Sequence, residues 1–142
     1  MAKILVVANR TAESDELLEQ LRKRVEQGEA ELHLLVPSTP QGLQRATNMD
    51  ADSGGIEAQE QLEKAVERIR GKGVEFDSAV VGDPDPLAAI QDAANLGDYD
   101  EIIVSTLPTH LSKWLHLDLP SKARHATGLP VKHVEASEPD GG

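Results

Sequence analysis

The chain predicts an α/β fold: a single-domain, open, parallel five-stranded sheet of Rossmann-like type with helices on both faces. Three observations carry this. Aliphatic runs, beginning with Lys3 to Ala8, are continuous rather than alternating, as in strands buried on both faces. Between such runs stand segments whose apolar residues recur at helical spacing, as Leu17, Leu18, Leu21 and Val25 do. Glycine closes each of these segments, at Gly28, at Gly71 with Gly73, at Gly97 and at Gly128. Strands that alternate with helices imply right-handed crossovers, and right-handed crossovers imply a parallel sheet.

The elements follow in order. Lys3 to Ala8 is the first strand. Ser14 reads as the N-cap of the first helix, with Asp15 and Glu16 well placed against the positive end of its dipole. Leu32 to Val36 is the second strand, stopped by Pro37. Ser38 to Gly55 is polar and without periodicity, a long connection for a compact domain. Ile56, Leu62, Ala65, Val66 and Ile69 mark the second helix, and Val74 to Val81 the third strand. Gly82-Asp83-Pro84-Asp85-Pro86 turns into a third helix from Leu87 to Leu96. Tyr99 to Ser105 is the fourth strand, Leu119 to Thr127 a last helix, and Val131 to Glu135 the fifth strand. Residues 1–135 thus read as one domain, and residues 136–142 as a polar tail.

Composition narrows the function classes. A length of 142 residues suits one domain, and 39% hydrophobic with 27% charged residues is ordinary for a globular chain. Phe76, Tyr99 and Trp114 are the only aromatics, so the core is aliphatic. The absence of cysteine excludes disulfides, thiolate metal sites and a cysteine nucleophile, and agrees with a cytoplasmic location. A net charge of -11 repels phosphate backbones and anionic lipid, so neither nucleic acid nor a membrane is expected as partner. The opening run MAKILVVANR is too short to span a bilayer and lacks a signal-peptide cleavage pattern.

Ligands of open parallel sheets lie beyond the carboxyl ends of the strands, near the point where strand order reverses. That rule singles out Asn9, Arg10 and Thr11 after the first strand, and Val36 at the end of the second. It also singles out Gly82 before Asp83 and Pro84, Ser105 and Thr106 at the end of the fourth strand, and Lys113 in the following loop. Arg10 reads either as a contact for a ligand anion or as a solvated loop arginine. Around Lys113, the residues His110, Trp114 and His116 read in two ways. They form a binding surface with Trp114 as platform, or an amphipathic turn pinned by Leu111, Trp114, Leu115 and Leu117. His33 reads as a tethered structural histidine, and His125 and His133 as exposed. Asp50 to Gly55 is faintly similar to a calcium loop, but Gly54 occupies a ligand position and Gln61 stands where a bidentate Glu is needed. With no metal-ligand spacing and no nucleophile elbow, the sequence assigns no catalytic and no metal residue.

Four pieces of the chain, in this order, are Lys3-Ile4-Leu5-Val6-Val7-Ala8, Gly82-Asp83-Pro84 with Ile90, Asp100-Glu101-Ile102-Ile103-Val104, and Gly128-Leu129-Pro130-Val131. Together they resemble the universal stress protein family over nearly the whole length. The resemblance implies a sheet ordered 3-2-1-4-5 and a homodimer through the fifth strand. Such a dimer would put Val131 and Val134 at the contact, with Lys132, His133 and Glu135 along the edge, giving an exposed edge strand a partner. The resemblance also brings ATP or another adenine nucleotide as the cofactor to consider. The family's nucleotide-binding members carry an Asp just after strand one and a loop G-x2-G-x9-G-[ST] after strand four. Here Asn9 stands at the Asp position, the loop begins at Ser105, and its second glycine falls at Pro108. The closing pair falls at Leu117-Asp118, with the loop one residue shorter, so every glycine is replaced.

These replacements act against phosphate. Glycines let backbone N–H groups approach a phosphate closely, and Pro108 has no N–H. Asp118 is expected to cap the last helix and so to occupy its anion-binding end. The expected function is a non-catalytic regulatory or small-molecule-binding protein with reduced or lost ATP binding. One alternative is an adenine-nucleotide binder with a non-standard phosphate site, built from Asn9, Arg10, Thr106 and Lys113. Another is a small α/β hydrolase or transferase resting on His110 and His116.

Overall fold

A computed structural model describes residues 2–8, 14–37, 51–83, 85–106 and 113–136; for residues 51–58, 61, 113 and 116 it describes the backbone only. Five strands form one sheet: β1 (Ala2–Val7), β2 (Ala30–Pro37), β3 (Ser78–Gly82), β4 (Glu101–Thr106) and β5 (Val131–Glu135). The order is β3-β2-β1-β4-β5, with every neighbouring pair parallel, as expected. The helices are α1 (Asp15–Gln27), α2 (Ala51–Gly71), α3 (Pro86–Leu96), the short α4 (Lys113–His116) and α5 (Leu119–Thr127).

Strand alternation divides the core into two layers. Ile4 and Val6 of β1, with Leu32, Leu34 and Ile103, meet Leu17, Leu18 and Leu21 of α1 and Leu62 and Ile69 of α2. Leu5 and Val7, with Leu35, Ile102 and Val104, meet Ala89 and Ile90 of α3 and Leu119 and Ala123 of α5. Each fully buried Leu or Ile stabilises the fold by about 1.5–3 kcal/mol, so β1, buried on both faces, anchors the domain.

Caps set the helix limits, at Ser14 and Gly128 as the residues foretell and at Asp85 in addition. The Ser14 hydroxyl accepts from the Leu17 N–H at 3.2 Å. Asp85 accepts from Leu87 at 3.0 Å, ahead of Pro86 at the first helical position. Gly128 closes α5 in the left-handed region at φ 73°, with its N–H on the Arg124 carbonyl at 2.8 Å. Arg24 of α1 reaches Glu101 at the foot of β4, 2.9 Å away.

Some boundaries differ from expectation for local reasons. β2 begins two residues early, because Ala30 and Glu31 pair with Ala2 and Lys3, and it includes Pro37, which aligns with Gly82. β3 is shorter than Val74 to Val81. Val74 lies in the turn that follows α2, its N–H donating to the Ile69 carbonyl, and Asp77 accepts the Leu32 N–H on its carboxylate at 2.8 Å. β4 starts after Asp100, whose carboxylate takes the Lys3 N–H at 2.7 Å. α2 starts at Ala51, ahead of the apolar periodicity that marks it. Ala136 is part of the fold rather than of a tail: it is buried and donates to the Thr106 carbonyl at 2.9 Å. The rest of the expected tail lies outside the described residues.

Ser14→Ala removes the α1 cap and is expected to cost about 1 kcal/mol, read as a lower urea midpoint with an unchanged slope.

Candidate functional site

β1 lies between β2 and β4, and the chain leaves it toward one side and β4 toward the other. The crevice of such a sheet opens there, beyond Val7 and Thr106. Its floor is apolar and closed: Val7 and Ala8 have no exposed surface. The Ala8 N–H is used by the Leu35 carbonyl at 3.2 Å.

The candidate residues separate into distinct roles. Ser105 and Thr106 are the buried polar side chains at the end of β4, with 1% and 2% exposure. Alternation turns them to opposite faces of the sheet. Thr106 Oγ1 shares a hydrogen bond with His133 Nε2 of β5 at 2.7 Å, so a candidate crevice residue and a candidate edge residue form one pair. Val36 packs, half-buried, against the layer beneath α1 and α2. Gly82 has a packing reason to be glycine, since a Cβ there would lie 2.8 Å from Leu35 Cδ1 and 3.1 Å from the Ala89 Cβ. Asp83 and Asp85 serve their own backbone, Asp83 accepting from Asp85 at 2.9 Å. Asn9, Arg10 and Thr11, together with the side chain of Lys113, fall outside the described residues, as do Leu111, His110 and the His116 side chain.

Beyond the crevice, α4 forms one turn. Trp114 packs half-buried on the α3–α5 layer and Leu115 is half-buried, whereas Leu117 is 55% exposed. The pinning expected of this stretch therefore rests, among the described residues, on Trp114 and Leu115. Asp118 follows, with its N–H on the Leu115 carbonyl at 3.0 Å. It takes φ 55° and ψ 46°, the one non-glycine residue in the left-handed region among those described. Here the expected cap is corrected: the Asp118 side chain makes no capping hydrogen bond to α5. A left-handed backbone does not give the extended geometry from which an N-cap carboxylate reaches back to the N–H groups of the first turn. The helix instead begins on the backbone, Lys122 N–H donating to the Asp118 carbonyl at 3.1 Å, with Pro120 supplying no N–H.

Among the described residues no three His, Asp or Glu side chains stand together to hold a metal ion, and no helix is long and apolar enough to cross a membrane. His33 is tethered as expected, with Nδ1 2.6 Å from Ser78 Oγ.

Residues 1–125 match the universal stress protein family. The chain belongs to that family. A universal stress protein solved in complex with cAMP is similar in fold, with a TM-score of 0.55 and 18% identity over 96% of this chain and 100% of that one. A second solved structure, of a protein described as hypothetical, has a TM-score of 0.63 and 16% identity over 96% of this chain and 98% of that one. No curated protein matches. The family match ends within α5, ahead of β5, so the strand that bonds Thr106 through His133 lies beyond the matched stretch.

Two features of this universal stress protein escaped the sequence reading. The Thr106–His133 bond joins residues 27 apart and no local pattern announces it. The left-handed turn at Asp118 had one available signal: Asp tolerates that region better than most residues, and here it stands at the family's Gly-Ser/Thr position. Two variants that both lack the carboxylate isolate the backbone cost. Asp118→Gly is expected to be more stable than Asp118→Ala by about 1 kcal/mol in denaturant titration.

Proposed function

We propose that this universal stress protein is a non-catalytic, ligand-responsive regulator. Its crevice takes an adenine nucleotide through the nucleoside part, and ATP binding is reduced or lost. The observation that carries this reading is the exit of the crevice loop. Asp118 stands there exposed, in the left-handed region, with its charge uncommitted to capping, and Pro120 follows. No glycine occurs between Thr106 and that helix. A phosphate cradle needs converging N–H groups at a helix start, and a carboxylate there opposes the ligand charge. At ~4 Å and an effective dielectric of about 20 the repulsion is about 4 kcal/mol per pair of unit charges before screening.

The relative solved with cAMP supports an adenine nucleotide as the ligand class. Asn9 suits the base or ribose because its amide both donates and accepts. Arg10, Thr11 and Lys113 are the candidate contacts for a single phosphate, with Arg10 able to grip it with two N–H groups. Thr106 contributes less than the sequence suggests, because its hydroxyl is committed to His133.

Calorimetric titration with ATP, cAMP and adenosine tests this. ATP is expected to bind no more tightly than cAMP, and Arg10→Ala with Lys113→Ala to weaken cAMP while leaving adenosine unchanged. An ATP affinity in the micromolar range and about a hundredfold above that of adenosine would sink the reading.

The proposed assembly is a homodimer through β5, the last strand of the sheet. Val134 is already buried under the α1 layer and Val131 packs on the opposite layer, so the pairing rests on the backbone and on exposed Lys132, His133 and Glu135. The other outer strand is less available, since the Gln59 amide of α2 donates to the Ala79 carbonyl of β3 at 3.4 Å. Light scattering at micromolar concentration is expected to give the mass of two chains; the mass of one chain refutes it.

A further inference from the structure

At the end of the sheet opposite the crevice, a serine, a histidine and a glutamate meet on one face. Glu31 and His33 alternate with Leu32 on β2, so both turn to the side that carries Leu35. Ser78 opens β3 and is paired with His33 in the parallel register. Ser78 Oγ lies 2.6 Å from His33 Nδ1, and Glu31 Oε2 lies 3.4 Å from His33 Nε2. The Tyr99 ring meets the imidazole edge-on at 5.7 Å and holds it from a third side. The His33 side chain is 17% exposed, whereas Ser78 is an exposed residue. A base fixed in place thus stands beside a hydroxyl that solvent reaches.

The partners of the imidazole assign its tautomer. A carboxylate only accepts hydrogen bonds, so Glu31 selects the neutral form with its hydrogen on Nε2. Nδ1 then keeps its lone pair, and the Ser78 hydroxyl donates to it. The opposite tautomer would set the Nε2 lone pair against the carboxylate, two acceptors with no hydrogen between them. Hydroxyl to base, and base to an orienting carboxylate, is the polarity that activates a serine. The fold does not need the Ser78–His33 bond to join these strands. Asp77 already does so, with its carboxylate on the Leu32 N–H at 2.8 Å and its own N–H on the Leu32 carbonyl at 2.7 Å.

We infer that Ser78 is a reactive serine that takes an acyl group from an uncharged activated ester, with His33 as its base and Glu31 setting the base's tautomer. Ser78 Oγ attacks the ester carbonyl carbon as its proton passes to His33 Nδ1. The bond from that carbon to the leaving oxygen then breaks. The leaving oxygen keeps the electron pair and takes the proton from His33, and the acyl group stays on Ser78 as an ester. Charge selects the donor class: a chain with a net charge of -11 repels acyl phosphates and other polyanionic acyl donors. The step modifies each chain once and lies away from the crevice, so it stands independently of the regulatory reading above.

The test is reaction of the intact protein with p-nitrophenyl acetate, read by p-nitrophenolate release and by peptide mass spectrometry. Wild type is expected to acetylate at Ser78 with a matching burst of p-nitrophenolate. Hydroxylamine at neutral pH is expected to remove that acetyl group, as it removes an ester and spares a lysine amide. Ser121, in the first turn of α5, is the internal comparison and is expected to react about a hundredfold more slowly. His33→Gln leaves Ser78 a hydrogen-bond partner but no base, and is expected to slow its acetylation about a hundredfold. Glu31→Gln can accept from or donate to Nε2, so it no longer selects the tautomer, and is expected to slow acetylation about fivefold. Neither position is fully buried, and an unchanged thermal midpoint verifies that the fold is retained. Acetylation of Ser78 no faster than that of Ser121 overturns the inference in wild type alone. So does acetylation confined to lysines, or a Ser78 rate that His33→Gln leaves unchanged.

Discussion

The structure depends on the position of β1. From Ile4 to Val7 its side chains are buried on both faces, and its backbone is paired on both sides, with β2 through Ala2 to Val7 and with β4 through Ile4 to Val7. A strand with no solvent contact must have every N–H and C=O satisfied by its neighbours, which fixes register along its whole length. Two parallel neighbours can be reached only by crossovers that leave in opposite directions. The crevice is the outcome of that constraint, and it opens where the two crossovers part.

That constraint explains why the fold was legible. Aliphatic runs, glycine stops and the Ser14 cap are local signals, and each acts in the structure as its chemistry dictates. β5 was read to the residue because Pro130 and the polar residues after it bracket a short apolar pattern. Errors fell where tertiary partners decide a boundary. Extended residues such as Val74 and Phe76 bury their side chains but lack a ladder partner, so they look like strand in sequence and are connection in space. Ala136 looked like tail because nothing local reveals that Thr106 offers it a carbonyl.

The site was less legible than the fold. Sequence position put Gly82, Ser105 and Thr106 at the crevice, and the sheet does bring them to the carboxyl ends of their strands. Their side-chain roles, however, are set by neighbours: Gly82 by the closeness of Leu35 and Ala89, Thr106 by His133. The groove lined by Asp92, Asp98, Tyr99 and Thr127, at the end of the sheet opposite the crevice, was not foreseen at all. It is assembled from the ends of two helices and the turn before β4, and its residues are ordinary polar surface until the fold gathers them. Asp118 shows the same limit. The residue type signalled a cap, and the backbone conformation that decides whether a cap can form was not written in its identity.

The Gln59 contact on β3 has a consequence for growth. A sheet with two open edges can add copies at both ends and so propagate into a filament. In this sheet an amide from α2 occupies a carbonyl of one outer strand, β3, and the other outer strand is β5. Were two chains to pair through β5 as proposed, that symmetric contact would use up the same outer strand of both molecules at once. In such a dimer, association by strand addition would terminate after a single step, with the Gln59 amide set against growth from β3.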